Sequence, residues 1–151
     1  MSVGIGYDSH RFAEGRALIL GGVEIEHERG LSGHSDADVL THAVIDALLG
    51  AAGQGDIGTL FPDDDERWRD ADSVDLLRTA VGTIGGRIVN VDATLICQEP
   101  QLAPHRAEME HILAEATSAR VSVKATTNEG MGWIGRGEGI ACIAVASVES
   151  E

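Results

Sequence analysis

The chain has 151 residues, 43% of them hydrophobic and only 3% aromatic, which is enough apolar material for one packed core built from small aliphatic side chains. Its formal net charge of -14 argues against general binding to nucleic acid or to anionic membrane, since both need basic patches. An anionic ligand would need local help here, from metal ions, backbone amides or a few placed cations.

In chain order, Val3, Ile5 and Tyr7 alternate with Gly4, Gly6 and Asp8, the pattern of a strand with one apolar side; Asp8 and His10 share the other side. Leu18 to Leu20, Gly21-Gly22 and Val23 to Ile25 predict a short hairpin, and Glu28-Arg-Gly30 closes a loop. From Ser35 the spacing predicts a helix to about Ala52, capped by Ser35 or Asp36, with Val39, Leu40, Ala43, Val44, Ala47 and Leu48 on its apolar face. Gly53 and Gly55 stop it. An irregular acidic stretch from Asp56 to Asp72 follows, and Ser73 opens a second helix to about Ile84. Ile88 to Gln98 predicts a strand, Pro100 and Pro104 bracket a loop, and a third helix runs from about His105 to Ala116. Val121 to Thr127 is a further strand, Gly130 to Gly139 a glycine-rich turn, and Ile140 to Val148 a closing strand. Strands alternating with helices predict an α/β or α+β sandwich in a single domain, 1–151, with helices packed on one sheet. Cys97 and Cys142 lie in apolar runs without CxxC spacing and read as buried free thiols. With no basic and apolar leader and no run of membrane-spanning length, the expectation is a soluble cytoplasmic protein.

Asp8 and His10 on one side of a strand, with His42 on the next helix, offer a carboxylate and two imidazoles with a position left open, a set suited to zinc or a similar divalent ion; a plain hydrogen-bonded strand end reads equally well. Asp38, His42 and Asp46 form an i, i+4, i+8 stripe, either a solvated face or a functional one in which Asp46 orients a histidine ligand. His34 and Ser35 precede that helix, where an imidazole and a hydroxyl suit a phosphate, or Ser35 is a plain cap. Lys124-Ala-Thr-Thr-Asn-Glu129 ends a strand in two hydroxyls, an amide and a carboxylate. The hydroxyls can donate to phosphate and Glu129 can hold a hard cation, or these are β-favouring threonines beside a surface glutamate. Gly135-Arg-Gly-Glu-Gly139 matches neither the Walker nor the dinucleotide pattern, and leaves Arg136 and Glu138 as an ion pair or an anion contact. No serine or cysteine with a paired base supports covalent catalysis.

Read together, Gly6-Tyr-Asp-Ser-His10, His34-Ser-Asp-Ala-Asp-Val39, His42-Ala43, Asp46-Ala47, Gly55-Asp-Ile-Gly58, Phe61-Pro-Asp63, Lys124 to Glu129 and Gly135 to Gly139 resemble the 2-C-methyl-D-erythritol 2,4-cyclodiphosphate synthase family, collinearly over nearly the whole chain. The resemblance implies a ferredoxin-like α/β sandwich with helices on one face of a mixed sheet, assembled as a homotrimer with active sites between neighbouring subunits. It implies Zn2+ on Asp8, His10 and His42, and Mg2+ or Mn2+ on Glu129 with a diphosphate. His34 and Thr127 match positions assigned to transition-state stabilisation. Substrate contacts carry over to Asp8, Ser9 and His10; to His34 and Ser35; and to Asp56, Ile57 and Gly58. They continue with Phe61, Pro62, Asp63, Asp64 and Asp65, then Cys97, Gln98, Glu99, Pro100, Gln101, Leu102 and Ala103, with cytosine around Pro100 to Ala103. Thr126, Thr127, Asn128 and Glu129, with Trp133 and Arg136, complete them. Ala37 stands where the family usually has glycine, Asn128 where a third threonine is common, and Gln101 where lysine is frequent. The implied reaction converts 4-diphosphocytidyl-2-C-methyl-D-erythritol 2-phosphate to the cyclic diphosphate and CMP, in non-mevalonate isoprenoid synthesis. A metal-dependent phosphohydrolase and a trimeric binding protein for isoprenoid diphosphates are the alternatives.

Overall fold

Strand β1 (Ser2–Ala13) is followed by the hairpin β2 (Leu18–Leu20) and β3 (Val23–Ile25) and by the short β4 (Gly30–Leu31). Helix α1 (Val39–Ala51), one-turn α2 (Ile57–Leu60) and α3 (Ser73–Gly82) lead to β5 (Gly86–Ile96), α4 (Arg106–Thr117), β6 (Arg120–Thr126), one-turn α5 (Gly132–Gly135) and β7 (Gly139–Ser150). The structure, a computed structural model, describes residues 1–150. One sheet runs in the order β4-β1-β7-β5-β6, with β5 and β6 parallel and the other neighbours antiparallel. Helices α1 and α4 lie against this sheet and α3 packs on both of them, giving the expected two-layer α+β sandwich on a mixed sheet. Leu40, Ile45, Leu48, Leu77, Leu95, Met109, Leu113 and Ile140 fill the space between the layers. Among the described residues no helix is long and apolar enough to cross a membrane.

The contact that positions the site is between β1 and α1. A Cβ built on Gly6 would lie 2.0 Å from the Ala43 carbonyl oxygen, and one on Gly4 would lie 2.1 Å from that of Ala47. Glycine on the strand facing alanine on the helix therefore lets two backbones touch, which lowers His42 onto the end of β1. The glycine side of β1 is thus the buried one. Val3, Ile5 and Tyr7 point away from the helices, and with Ile143 and Val145 they form an apolar patch on the bare face of the sheet, Ile5 being 71% exposed.

Helix α1 begins four residues later than the sequence predicts, at Val39, and its cap is Asp38 rather than Ser35 or Asp36. Ala37 has φ 57, a left-handed conformation through which a helix cannot propagate. Asp38 is fully buried; its carboxylate accepts the Thr41 amide at 3.0 Å and hydroxyl at 2.8 Å, and the amides of Gly21 and Gly22 at 2.8 and 2.9 Å. It thus ties the hairpin turn to the helix start. Helix α3 opens at Ser73 as expected, with Asp72 as its cap, and the acidic stretch holds α2 and a 3-10 turn at Glu66–Trp68.

Candidate active site

Asp8 and His10 leave β1 on the same side, and His42 descends from α1 between them. His42 Nδ1 lies 3.1 Å from Asp8 Oδ2, and His10 Nε2 lies 2.8 Å from the same oxygen. The ring protons are assigned by their other partners. His10 Nδ1 donates to the Ser32 carbonyl at 2.8 Å, so in the neutral ring Nε2 carries a lone pair, and among the described residues it has no hydrogen bond. His42 Nε2 meets the Ser73 hydroxyl at 2.8 Å; that hydroxyl gives its own proton to Asp36, so it accepts from His42 and leaves Nδ1 bare. Two lone pairs and a carboxylate oxygen therefore converge, which is stable only with a positive charge among them, a proton or a cation. Potential ligand atoms from these three residues all lie within 4.8 Å of one another, a donor set that fits a divalent metal with room for a further ligand.

Burial works against charge on Asp8, but when the facing nitrogens of His10 and His42 take up a proton, their hydrogen bonds and positive charge outweigh it and hold the carboxyl below its ordinary value. Burial also opposes charge on His42, yet the hydrogen bond and charge of Asp8, with Asp38 and Asp36 behind, raise it. Asp46 does not reach either ring: its carboxylate accepts the Ile57 amide at 2.7 Å and fixes the start of α2. The stripe of three polar residues thus divides into a buried cap, a ring facing Asp8 and a loop anchor.

Asp8, His10 and His42 floor a cavity of about 270 Å³ that is also lined by His34, Ser35, Ile57, Gly58, Phe61, Asp63 and Trp68. His34 and Ser35 are in the wall, but they do not form a helix N-terminus, because α1 starts beyond them with Asp38 on its amides. Their loop is held by Arg16, which donates to the carbonyls of Gly33 at 2.8 Å and Ser35 at 2.5 Å. Ser35 Oγ accepts the Ala37 amide at 3.3 Å and lies 3.1 Å from His42 Nε2, so its proton is free for a ligand in the cavity. His34 Nε2 lies 3.3 Å from the Asp65 carbonyl. Asp56 caps α2, Asp65 pairs with Arg67 at 2.7 Å, and Pro62 and Asp64 are exposed on the loop between. Phe61 and Trp68 stack edge to face at 4.9 Å.

The second group of expected residues lies apart. Cys142 and Leu95 separate Asp8 from Ala125 in the strand register, so β1 and β6 are three strand spacings apart, about 14 Å.

 The β5 residue in that row is Leu95, which is fully buried between the two groups. Leu102 and Ala103 line a smaller cavity with Lys124 and Arg106, and the cavity above Asp8, His10 and His42 does not reach it. Cys97 is buried, its thiol pushed up to about 12 by burial, and it points at the carbonyls of Glu99 and Pro100; Cys142 is raised too, so neither is a nucleophile. Gln98 accepts the Gly130 amide at 3.1 Å and joins this loop to the next, while Gln101 is exposed. Thr126 donates to the Thr127 carbonyl, Thr127 Oγ1 accepts the Glu129 amide at 3.2 Å, and Asn128 donates to Met131. Glu129 is exposed with φ 55, a left-handed conformation that presents its carboxylate at a tight turn. Ser9 and Trp133 share a shallow depression with Glu138, which pairs with Arg136 at 2.7 Å.

Arg16, Asp36, Ser73 and Trp68 were not singled out as site residues from the sequence. The roles of Arg16, Asp36 and Ser73 arise from partners far along the chain, and no local spacing signals such pairs, whereas Trp68 packs on the nearby Phe61.

The YgbB family model matches residues 1–149. The chain belongs to the YgbB family. Curated relatives named 2-C-methyl-D-erythritol 2,4-cyclodiphosphate synthase include one from Rubrobacter xylanophilus, 59% identical with 97% of this chain and 94% of that one covered. Another, from Salinibacter ruber, is 55% identical with 99% of both covered. Among solved structures, the bifunctional IspDF from Campylobacter jejuni superposes with a TM-score of 0.94 at 42% identity; it covers 99% of this chain, which spans 42% of that longer one. A 2C-methyl-D-erythritol-2,4-cyclodiphosphate synthase in a CDP-bound form has a TM-score of 0.87 at 37% identity, covering 97% of this chain and 99% of that one. YgbB family membership thus extends over the sheet, the metal-ligand cluster and both groups of expected site residues.

Proposed function

We propose that the chain converts 4-diphosphocytidyl-2-C-methyl-D-erythritol 2-phosphate to 2-C-methyl-D-erythritol 2,4-cyclodiphosphate and CMP, acting as one synthase domain over 1–151. The observation that carries this reading is the convergence of two imidazole lone pairs and a carboxylate oxygen on the floor of a cavity, in a chain 55–59% identical to named synthases.

In the reaction an oxygen of the substrate's own 2-phosphate attacks the β-phosphorus of its diphosphate. The bond from that phosphorus to the oxygen bridging it to the α-phosphate breaks, and CMP leaves with the bonding electrons. No protein nucleophile is needed, in keeping with the buried thiols. Asp8, His10 and His42 would hold Zn2+, and Glu129 Mg2+ or Mn2+ with the diphosphate; cations so held supply positive charge to phosphate oxygens. The Ser35 hydroxyl, its lone pairs already engaged, donates to a phosphate in the same cavity, and His34 stands beside it in the wall. Thr127 keeps its proton for the diphosphate while its oxygen takes the Glu129 amide. Leu102 and Ala103 offer the base an apolar slot, and the turn at Trp133 and Arg136 borders the substrate. Asp56, Gly58 and Asp63 border it on the metal side.

A homotrimer with shared sites is part of the same reading. The apolar patch of Val3, Ile5, Tyr7, Ile143 and Val145 is large and bare for a single chain, and the two groups of site residues do not share a cavity within it. The two unpaired buried thiols suit the reducing cytoplasm. Incubation with the substrate, Zn2+ and Mg2+, followed by phosphorus NMR, tests the activity: a cyclic diphosphate with CMP is expected, and hydrolysis products alone would identify a phosphohydrolase instead. His42→Ala should lose both Zn2+ and turnover with the fold retained.

A further inference from the structure

We infer that Asp36 and Ser73 are positioning residues of the metal centre, acting on it through His42. The inference rests on the reading of Asp8, His10 and His42 as metal ligands, and concerns what stands behind one of them. His42 turns Nδ1 toward Asp8 and Nε2 away from it, onto Ser73 Oγ at 2.8 Å. Ser73 is fully buried and its hydroxyl has one proton, which goes to Asp36 Oδ1 in a short hydrogen bond. The Ser73 amide donates to the other oxygen of the same carboxylate at 3.0 Å, so the hydroxyl is fixed in direction from two sides. A hydroxyl whose proton is committed can only accept from Nε2–H. The row carboxylate, hydroxyl, imidazole is therefore polarised one way: it keeps the proton on Nε2, leaves the Nδ1 lone pair facing the metal position, and passes the negative character of Asp36 into the ring.

Asp36 is held for this task by its own backbone. Its amide donates to the Ala71 carbonyl at 3.2 Å, and its Oδ1 also accepts the Asp38 amide at 3.1 Å. It thereby joins the loop before α1 to the start of α3, the two segments that carry His42 and Ser73. Ser35 Oγ lies 3.1 Å from the same Nε2 but is tied to no carboxylate, so it can replace the acceptor and not its charge.

The test measures Zn2+ affinity of the full-length protein by competition with a chromophoric chelator, alongside urea unfolding of the metal-free form. Ser73→Ala is expected to weaken Zn2+ binding by about 10- to 100-fold, and Asp36→Asn by about 10-fold, the range for groups behind a metal ligand. Because Asp36 acts through the hydroxyl, Asp36→Asn should change affinity less than about twofold once Ser73 is already alanine. Unaltered affinity in Ser73→Ala, or effects of the two changes that multiply, would overturn the relay and leave the metal reading standing. Wild-type protein that takes up no Zn2+ overturns both. Should Ser73→Ala fail to fold, nitrogen-15 NMR of the imidazoles in metal-free wild type at alkaline pH decides: His42 must carry its proton on Nε2, and a proton on Nδ1 refutes the relay.

Discussion

Replacing Gly6 by alanine should separate metal binding from folding. The new Cβ would sit 2.0 Å from the Ala43 carbonyl oxygen and 2.7 Å from the Ala47 amide nitrogen, both backbone atoms of α1 that cannot rotate aside. A carbon–oxygen contact needs about 3.3 Å, so strand and helix must part by a little over 1 Å. His42 neighbours Ala43 and moves with it, whereas metal–ligand distances tolerate only about 0.2 Å. Overpacking of this kind costs about 1–3 kcal/mol, and the smaller entropy of an unfolded chain with alanine returns about 0.5–1 kcal/mol. A domain with the usual 5–15 kcal/mol survives that loss. The expected result is a folded protein, destabilised by about 1–2 kcal/mol in urea, whose Zn2+ affinity has fallen by at least about 100-fold, beyond the range for groups behind a ligand. Gly50→Ala is the control. Its Cβ would meet nothing closer than 3.7 Å, so it should bind Zn2+ normally and gain about 0.5–1 kcal/mol from helix propensity. Wild-type Zn2+ affinity in Gly6→Ala would refute the argument that backbone contact sets the position of His42.

Thr127→Val, similar in shape without the hydroxyl, should lower kcat by about 100-fold with KM nearly constant and Zn2+ content normal; an effect on KM alone would make Thr127 a binding residue. Ile5→Lys puts a charge in the middle of the bare apolar patch and should yield monomers by sedimentation, with the metal site intact, whereas an unchanged assembly would exclude this face as the interface. In a trimer with shared sites, mixing His42→Ala with a variant disrupted at Pro100 to Ala103 should restore some activity that neither has alone. The metal-free fold should gain stability from the Asp8–His42 pair in a defined window. His42 is raised above 6.5, so its share is fully present below 6.5 and is lost as pH rises through the raised value; Asp8 is held below 3.8, so its share is present above 3.8 and is lost as pH falls through the lowered value. Melting of metal-free protein should therefore be highest in mildly acidic buffer, while Zn2+ affinity rises with pH as the proton it displaces leaves. A metal-free melting temperature that rose steadily above neutrality would contradict this.

Local sequence pattern specifies the inventory and most of the elements. Alternating patterns, turn glycines and apolar periodicity located the long strands, the hairpin at Gly21-Gly22 and the helices, because these are set by neighbours a few residues apart. The ligand types at Asp8, His10 and His42 were legible for the same reason, being near strand and helix positions whose periods are known. Tertiary structure decided which side of β1 is inside. Val3, Ile5 and Tyr7 look like a core face, but only glycine at 4 and 6 lets α1 touch the strand, so the apolar residues are left outside. It decided the helix start too, since Asp38 is held by the amides of a hairpin 16 and 17 residues away and Ala37 takes a left-handed turn that local pattern does not reveal. And it decided that Asp36 and Ser73, 37 residues apart, stand behind one imidazole. Periodicity reports the direction of a side chain from its own backbone; what that side chain meets depends on segments that only the packed fold brings together.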